Sequence, residues 1–159
     1  MGPAFPDRRA AGKALAGRLA HLAGTGTIVL ALPRGGLPVA DEIARALNAP
    51  LDIVLVRKLG MPGNPELAIG AIAGPGGGTM VLNEELIRHY DLTPEMIEAE
   101  AAPQRAELER RRGLWGGRLA PGALRGLRVI LVDDGIATGA TMRAAIAAAV
   151  RTRACRCGC

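Results

Sequence analysis

Three short stretches, "TIVLAL" (Thr27–Leu32), "LDIVLV" (Leu51–Val56) and "LRVILV" (Leu127–Val132), are apolar almost without interruption. A strand with one wet face alternates apolar and polar residues, and these do not. Both their faces are therefore covered, which is the condition of a parallel sheet enclosed by helices. The flanking segments supply the helices. "LPVADEIARALN" (Leu37–Asn48) follows the first run with helical spacing, and "FPDRRAAGKALAGRLAHL" places Asp7 as an N-cap before a loose stripe of Ala10, Leu15, Leu19 and Leu22. The expected fold is α/β, a mostly parallel sheet flanked by helices.

The middle of the chain departs from that rhythm. "RKLGMPGNPEL" (Arg57–Leu67) is rich in breakers and reads as a long loop that ends a strand. "AIGAIA" and "TMVL", separated by "GPGGG", predict a β-hairpin, so a hairpin and flexible-loop insertion is expected within the parallel fold. Asn83 caps "NEELIRHY", and Thr93 with Pro94 starts a helix that Pro103 should end or kink. A last helix is expected from Thr138 to Val150.

In open parallel sheets, ligands bind beyond the carboxyl ends of strands. Three loops lie there: Pro33–Gly36, Arg57–Leu67 and Asp133–Thr141. The third, in "VILVDDGIATGATMRAA", is the most informative. Gly135 and Gly139 let backbone N–H groups turn inward, Thr138 and Thr141 add hydroxyls, and the next helix presents its positive end, which together make a nest for a monophosphate. The lysine of a Walker loop is missing, which disfavours a nucleoside triphosphate. Asp133 and Asp134 accept hydrogen bonds only, and suit the two donors of a vicinal diol. The ligand implied is a phosphate with sugar hydroxyls beside it. A net charge of +5 favours an anion, while Phe5, Tyr90 and Trp115 as the sole aromatics leave no stacking platform for nucleic acid.

An apolar strand, two acids and then x-x-x-T-G-x-T resembles the signature of type I phosphoribosyltransferases, and the longer "VRKLGMPGNPELAIG" is similar to a bacterial group within them. The resemblance covers Arg8 to Ala149. It implies that the acids meet the ribose hydroxyls of 5-phosphoribosyl 1-diphosphate (PRPP), with Gly135, Ala137, Thr138, Gly139 and Thr141 around its 5-phosphate. Magnesium is implied too, carried by PRPP near Asp133 and Asp134 with no direct protein ligand set. "ALPRGGLPVA" resembles the diphosphate loop, with Arg34 offering a guanidinium and Gly35 and Gly36 letting backbone N–H groups approach. Arg57 and Lys58 resemble the mobile catalytic loop and would neutralise the leaving diphosphate. The implied reaction transfers phosphoribosyl to a nitrogen nucleophile, a nucleobase. Enzymes for 6-oxopurines carry an acid where this chain has Ala137, which counts against those bases. No covalent nucleophile is needed, and His21 and His89 read as surface residues of helices.

A competing reading keeps the fold and makes the chain a PRPP-sensing or RNA-binding protein, with Arg105, Arg110, Arg111, Arg112 and Arg118 as its anion surface. Against it, Glu98, Glu100, Glu107 and Glu109 interrupt that patch. The expected domain spans residues 1–150, and "RTRACRCGC" (residues 151–159) reads as an aberrant or disordered tail, as from a frameshift or truncation. Cys155, Cys157 and Cys159 are too few and too closely spaced for a zinc clip. A chain so ended would leave Met142, Ile146 and Val150 partly uncovered and invite association, with a homodimer as one outcome. Without a long apolar run, a leader-like start or a disulfide framework, the reading is cytoplasmic, with no membrane contact.

Overall fold

The computed structural model describes residues 5–24, 26–74, 78–115, 123–135 and 139–154. Helix α1 (Arg8–Arg18) is followed by a single 3₁₀ turn and by β1 (Thr27–Ala31), α2 (Gly36–Leu47) and β2 (Leu51–Ile53). Then come β3 (Val56–Met61), β4 (Asn64–Ala73), β5 (Thr79–Leu82), α3 (Glu84–His89), α4 (Pro94–Trp115), β6 (Arg128–Val132) and α5 (Ala140–Ala154). Two three-stranded sheets result: a parallel one in the order β2-β1-β6 and an antiparallel one in the order β3-β4-β5.

The central strand β1 is buried along its whole length. Its residues alternate between two helices. Val29 and Ala31 pack with Val39, Ala40, Ile43 and Leu47 of α2, while Ile28, Leu30 and Leu32 pack with Ala145 and Ala149 of α5. This is why the run carries no polar alternation. Helix α1 lies on α2 in turn, so close that a β-carbon on Gly12 would sit 2.7 Å from the Val39 carbonyl oxygen. Asp7 caps α1 by accepting from the Ala10 N–H at 2.7 Å, and Asn83 caps α3, both as the sequence predicts.

The stretch expected as one strand and a long loop is built differently. The parallel strand β2 stops at Ile53; Val54 N–H still donates to Ala31 of β1, but the Leu55 carbonyl already accepts from Gly74 at the end of β4. The chain therefore changes sheets at Val54–Leu55, and Arg57–Leu67 is not a loop but most of a hairpin, β3 and β4 joined through Pro62 and Gly63. The residues that read as breakers serve its tip. Gly63 has φ of +78°, and Gly60 lets Pro65 approach to where a β-carbon would meet its Cα at 2.7 Å. A bulge between Leu59 and Gly60 skips Ile69, which turns Ile69 into the same cluster as Leu59, Ile72 and the α4 residues Ile97, Ala101 and Leu108. The hairpin of β4 and β5 forms as expected.

Helix α4 is continuous through Pro103, where an end or a kink is expected from the sequence. Pro103 and Ala99, whose carbonyl loses its helical partner, are both exposed, so water satisfies what the proline frees. Helix α5 starts at Ala140 and continues to Ala154, beyond the Val150 expected as its end. It is wedged between the sheets. Ala145 and Ala149 face the parallel sheet, and Ala144 and Ala148 face Ala71 and Ala73 of β4. Ile146 and Val150 are exposed and Met142 is half-buried, as the sequence suggests. Cys155, Cys157 and Cys159 lie outside the described residues.

The double wedge makes steep demands on size. Ala148→Leu, forced between α5 and β4, is expected to cost about 1–3 kcal/mol in urea unfolding, whereas Ile146→Ala on the exposed face should change stability by less than about 0.5 kcal/mol.

Candidate functional site

The carboxyl ends of all three parallel strands open onto one cavity of about 460 Å³, lined by Leu32, Pro33, Arg34, Val54, Leu55, Val56, Asp133 and Thr141, and closed by Arg110, Arg111 and Leu114 from α4. Its size is within the range of small-molecule sites. Of the residues picked from sequence, the fold brings Arg34, Asp133 and Thr141 into this lining, with Gly35, Gly36 and Asp134 adjoining them. Ala137, Thr138 and Arg118 lie outside the described residues. Gly139, at φ +76°, accepts from Arg143 N–H at 2.9 Å and so opens α5, placing Thr141 in its first turn.

Gly35 and Gly36 also serve the packing of the two loops. The Gly36 N–H donates to the Leu32 carbonyl at 3.0 Å, inside the chain. What requires glycine is space: a β-carbon on Gly36 would lie 2.6 Å from the Val132 carbonyl oxygen, and one on Gly35 would lie 2.1 Å from Asp134 Oδ2. The start of α2 is thus pressed against the end of β6, and the two loops form one surface.

The adjacent acids are in unequal settings. Asp133 Oδ1 accepts the Asp134 N–H at 2.8 Å, and burial, more than the neighbouring carboxylate, pushes its pKa up. Asp134 accepts from Nε and Nη2 of Arg8 at 2.9 and 2.7 Å, both onto Oδ2, and this bond holds its pKa below the usual carboxylate value. Arg8 is a site residue that sequence reasoning missed. It stands 126 positions away in the chain, with only its place after the Asp7 cap to mark it. The arginines of α4 at the cavity were noticed in the sequence, but as a surface patch. Charge spacing along a helix does not say which face closes a pocket.

Arg57 and Lys58 are neighbours on β3, and successive strand residues point to opposite faces. Arg57 turns toward α4, where its Nε donates to Gln104 Oε1 at 2.9 Å, and Lys58 is exposed on the other side. Neither is in the cavity lining. His21 lies in the 3₁₀ turn and His89 ends α3, stacked edge-on against Tyr90; both are exposed. Among the described residues no three acids, histidines or cysteines come together as a metal cage. Asp133 and Asp134 are the carboxylates that would stand beside a divalent cation in this cavity.

The sign of the pH dependence follows from the two acids. The contribution of Asp134 is present above the unfolded carboxylate pKa and is lost as pH falls through its lowered folded pKa, while ionised Asp133 opposes folding above its raised one. In a carboxyl NMR titration Asp133 should protonate at higher pH than Asp134. Arg8→Ala should raise the Asp134 pKa, at a stability cost below about 1 kcal/mol because the ion pair is largely exposed.

Residues 7–159 match the phosphoribosyl transferase domain family. Two curated relatives from Mycobacterium tuberculosis, named "Putative phosphoribosyl transferase MT0597" (strain CDC 1551 / Oshkosh) and "Putative phosphoribosyl transferase Rv0571c" (strain H37Rv), are each 48% identical over 141 residues. That alignment takes in 89% of this chain and 31% of each relative, so the chain spans about a third of their length. The crystal structure of TT1426 from Thermus thermophilus is similar with a TM-score of 0.73 at 47% identity, over 93% of this chain and 69% of that one. Among the described residues, no helix is long and apolar enough to cross a membrane. The glycine-pressed loops, the acid pair at the end of β6 and the match across nearly the whole chain lead to one assignment: this chain belongs to the phosphoribosyl transferase domain family.

Proposed function

We propose that this chain binds PRPP with magnesium in the cavity at the ends of β1, β2 and β6, and transfers its phosphoribosyl group to a nitrogen of a nucleobase. The observation that carries the reading is the acid pair beside the first turn of α5. Asp133 Oδ1 accepts a backbone N–H and Asp134 Oδ2 accepts from Arg8, and the two carboxyl groups stand side by side as an acceptor pair suited to the two hydroxyls of a ribose diol. Thr141 and the amino-terminal end of α5 are suited to the 5-phosphate, and Arg34 to the diphosphate.

In this reading the bond from the anomeric carbon to the diphosphate oxygen breaks, and its electron pair leaves with the diphosphate. The acceptor nitrogen bonds the same carbon and gives up its proton. Bound magnesium supplies charge neutralisation on the leaving group. The chain supplies orientation of the ribose through the two aspartates, further positive charge, and walls of Leu32, Val54 and Val56 that keep water from the anomeric carbon. Of the pair Arg57 and Lys58, one can face the ligand at a time, and Lys58 is the proposed one because the Arg57 guanidinium is engaged with Gln104. Ala137 in place of an acid favours an acceptor other than a 6-oxopurine. An RNA surface on α4 is less well supported. Arg105 pairs with Glu98, Arg112 lies 3.9 Å from Glu109, and Arg110 and Arg111 line the cavity, so they do not form a continuous open patch with the others.

Calorimetry with PRPP and magnesium tests the site. Asp133→Asn with Asp134→Asn is expected to weaken binding by about 1–3 kcal/mol, and unchanged affinity in a folded double variant would remove the assignment. Where diphosphate release with a panel of nucleobases gives a measurable turnover, Lys58→Ala should lower kcat by on the order of 10² with less change in PRPP affinity. An equal loss in both would make Lys58 a ground-state binding residue.

A further inference from the structure

Glu107, Arg110, Arg111 and Leu114 recur on α4 at steps of three, one and three residues, which places them on one helical face. Another face of the same helix packs Ile97, Ala101 and Leu108 on the antiparallel sheet. Its last turns pass over the cavity, and Arg110, Arg111 and Leu114 line it opposite the strand ends. Glu107 holds both guanidinium groups: Arg110 reaches its two oxygens at 2.8 Å each, and Arg111 reaches Oε1 at 2.7 Å. These bonds pull the Glu107 carboxyl down to about 2, so it is ionised at any ordinary pH. Two cations thus share one internal anion at the wall of a site that already contains Arg34.

We propose that Arg110 and Arg111 bind the diphosphate of the donor, exchanging Glu107 for phosphate oxygens when the ligand enters; the inference rests on the PRPP reading above. On an ordinary exposed helix such pairs add only tenths of a kcal/mol, and there is no reason for them to face a cavity. Here the geometry gives them a second partner. A guanidinium presents donors in a planar fork that matches phosphate oxygens, and two forks suit the two linked phosphates of the leaving group. Glu107 keeps the arginines paired at the cavity edge while the site has no anion. The arrangement gives the cavity its own leaving-group cations, independent of where Lys58 on the hairpin points.

Isothermal calorimetry with inorganic diphosphate and magnesium decides the matter, using the full chain. Arg110→Gln with Arg111→Gln is expected to weaken diphosphate at least tenfold and to flatten its salt dependence, while Arg105→Gln, paired with Glu98 farther up the helix, leaves both unchanged. Glu107→Gln removes the competitor and should tighten diphosphate severalfold; weaker binding in that variant would overturn the exchange. Unfolding melts confirm that each variant is folded. If the unaltered chain binds neither PRPP nor diphosphate, the donor reading falls and the assignment with it. If it binds both and the double arginine variant does so equally, the arginine assignment alone is overturned. It is likewise overturned if the double variant keeps diphosphate and loses an acidic acceptor base instead.

Discussion

The site depends on a contact between two pieces of backbone, where the start of α2 is pressed against the end of β6. The Val132 carbonyl accepts the Leu32 N–H at 2.9 Å, tying β6 to β1, and the same oxygen is the surface on which Gly36 rests. Gly35 performs the equivalent service for the Asp134 carboxylate. A side chain at Gly36 would push the two loops apart, and one at Gly35 would displace the Asp134 carboxylate. The acid pair would then lose its place relative to Arg34, and Arg8 would lose its grip on Asp134. The spacing between Arg34 and the acid pair is therefore set by two positions that carry no functional group at all.

The parallel half of the fold was legible because burial on both faces leaves a simple trace, an apolar run with no alternation, and β1 and β6 lie where that trace puts them. The hairpin was less legible. Its strand β3 carries Arg57, Lys58 and Gly60, and β4 begins with Asn64 and Pro65, so local composition resembles a loop; tertiary packing against α4 and α5 overrides it. Pro103 misled in the other direction, because the cost of an interior proline depends on whether the freed carbonyl meets water, and sequence does not display exposure. In the site, loop residues adjacent in sequence were found and partners distant in sequence were not. Arg8 reaches Asp134 across almost the whole chain, and nothing in a stretch of "DRRAAG" signals that contact.

The positive charge of the chain is distributed less freely than its net value suggests. On α4 the arginines answer glutamates one turn or two turns away, and on α1 Arg9 spans Asp41 and Glu42 of α2, which fastens the outer helix to the inner one. Arg8, next in line, turns the other way toward the site. Two neighbouring residues on the first turn of α1 therefore divide scaffold and site between them. Where the parallel strands end, Arg34, Arg110 and Arg111 stand around a single lining carboxylate, Asp133.

The alanine faces of α5 have a consequence for how such a chain can drift in sequence. A helix confined on two sides by methyl groups cannot accept larger residues on either side without moving a sheet, so Ala144, Ala145, Ala148 and Ala149 are open only to exchange with residues of similar bulk. Ile146 and Val150, on the outward side, escape that constraint. Substitution along α5 should accordingly accumulate with a helical beat, crowded onto one narrow strip. The helix that looks in sequence like a featureless run of alanine would be among the slowest-changing parts of the molecule on two of its sides and among the fastest on the third.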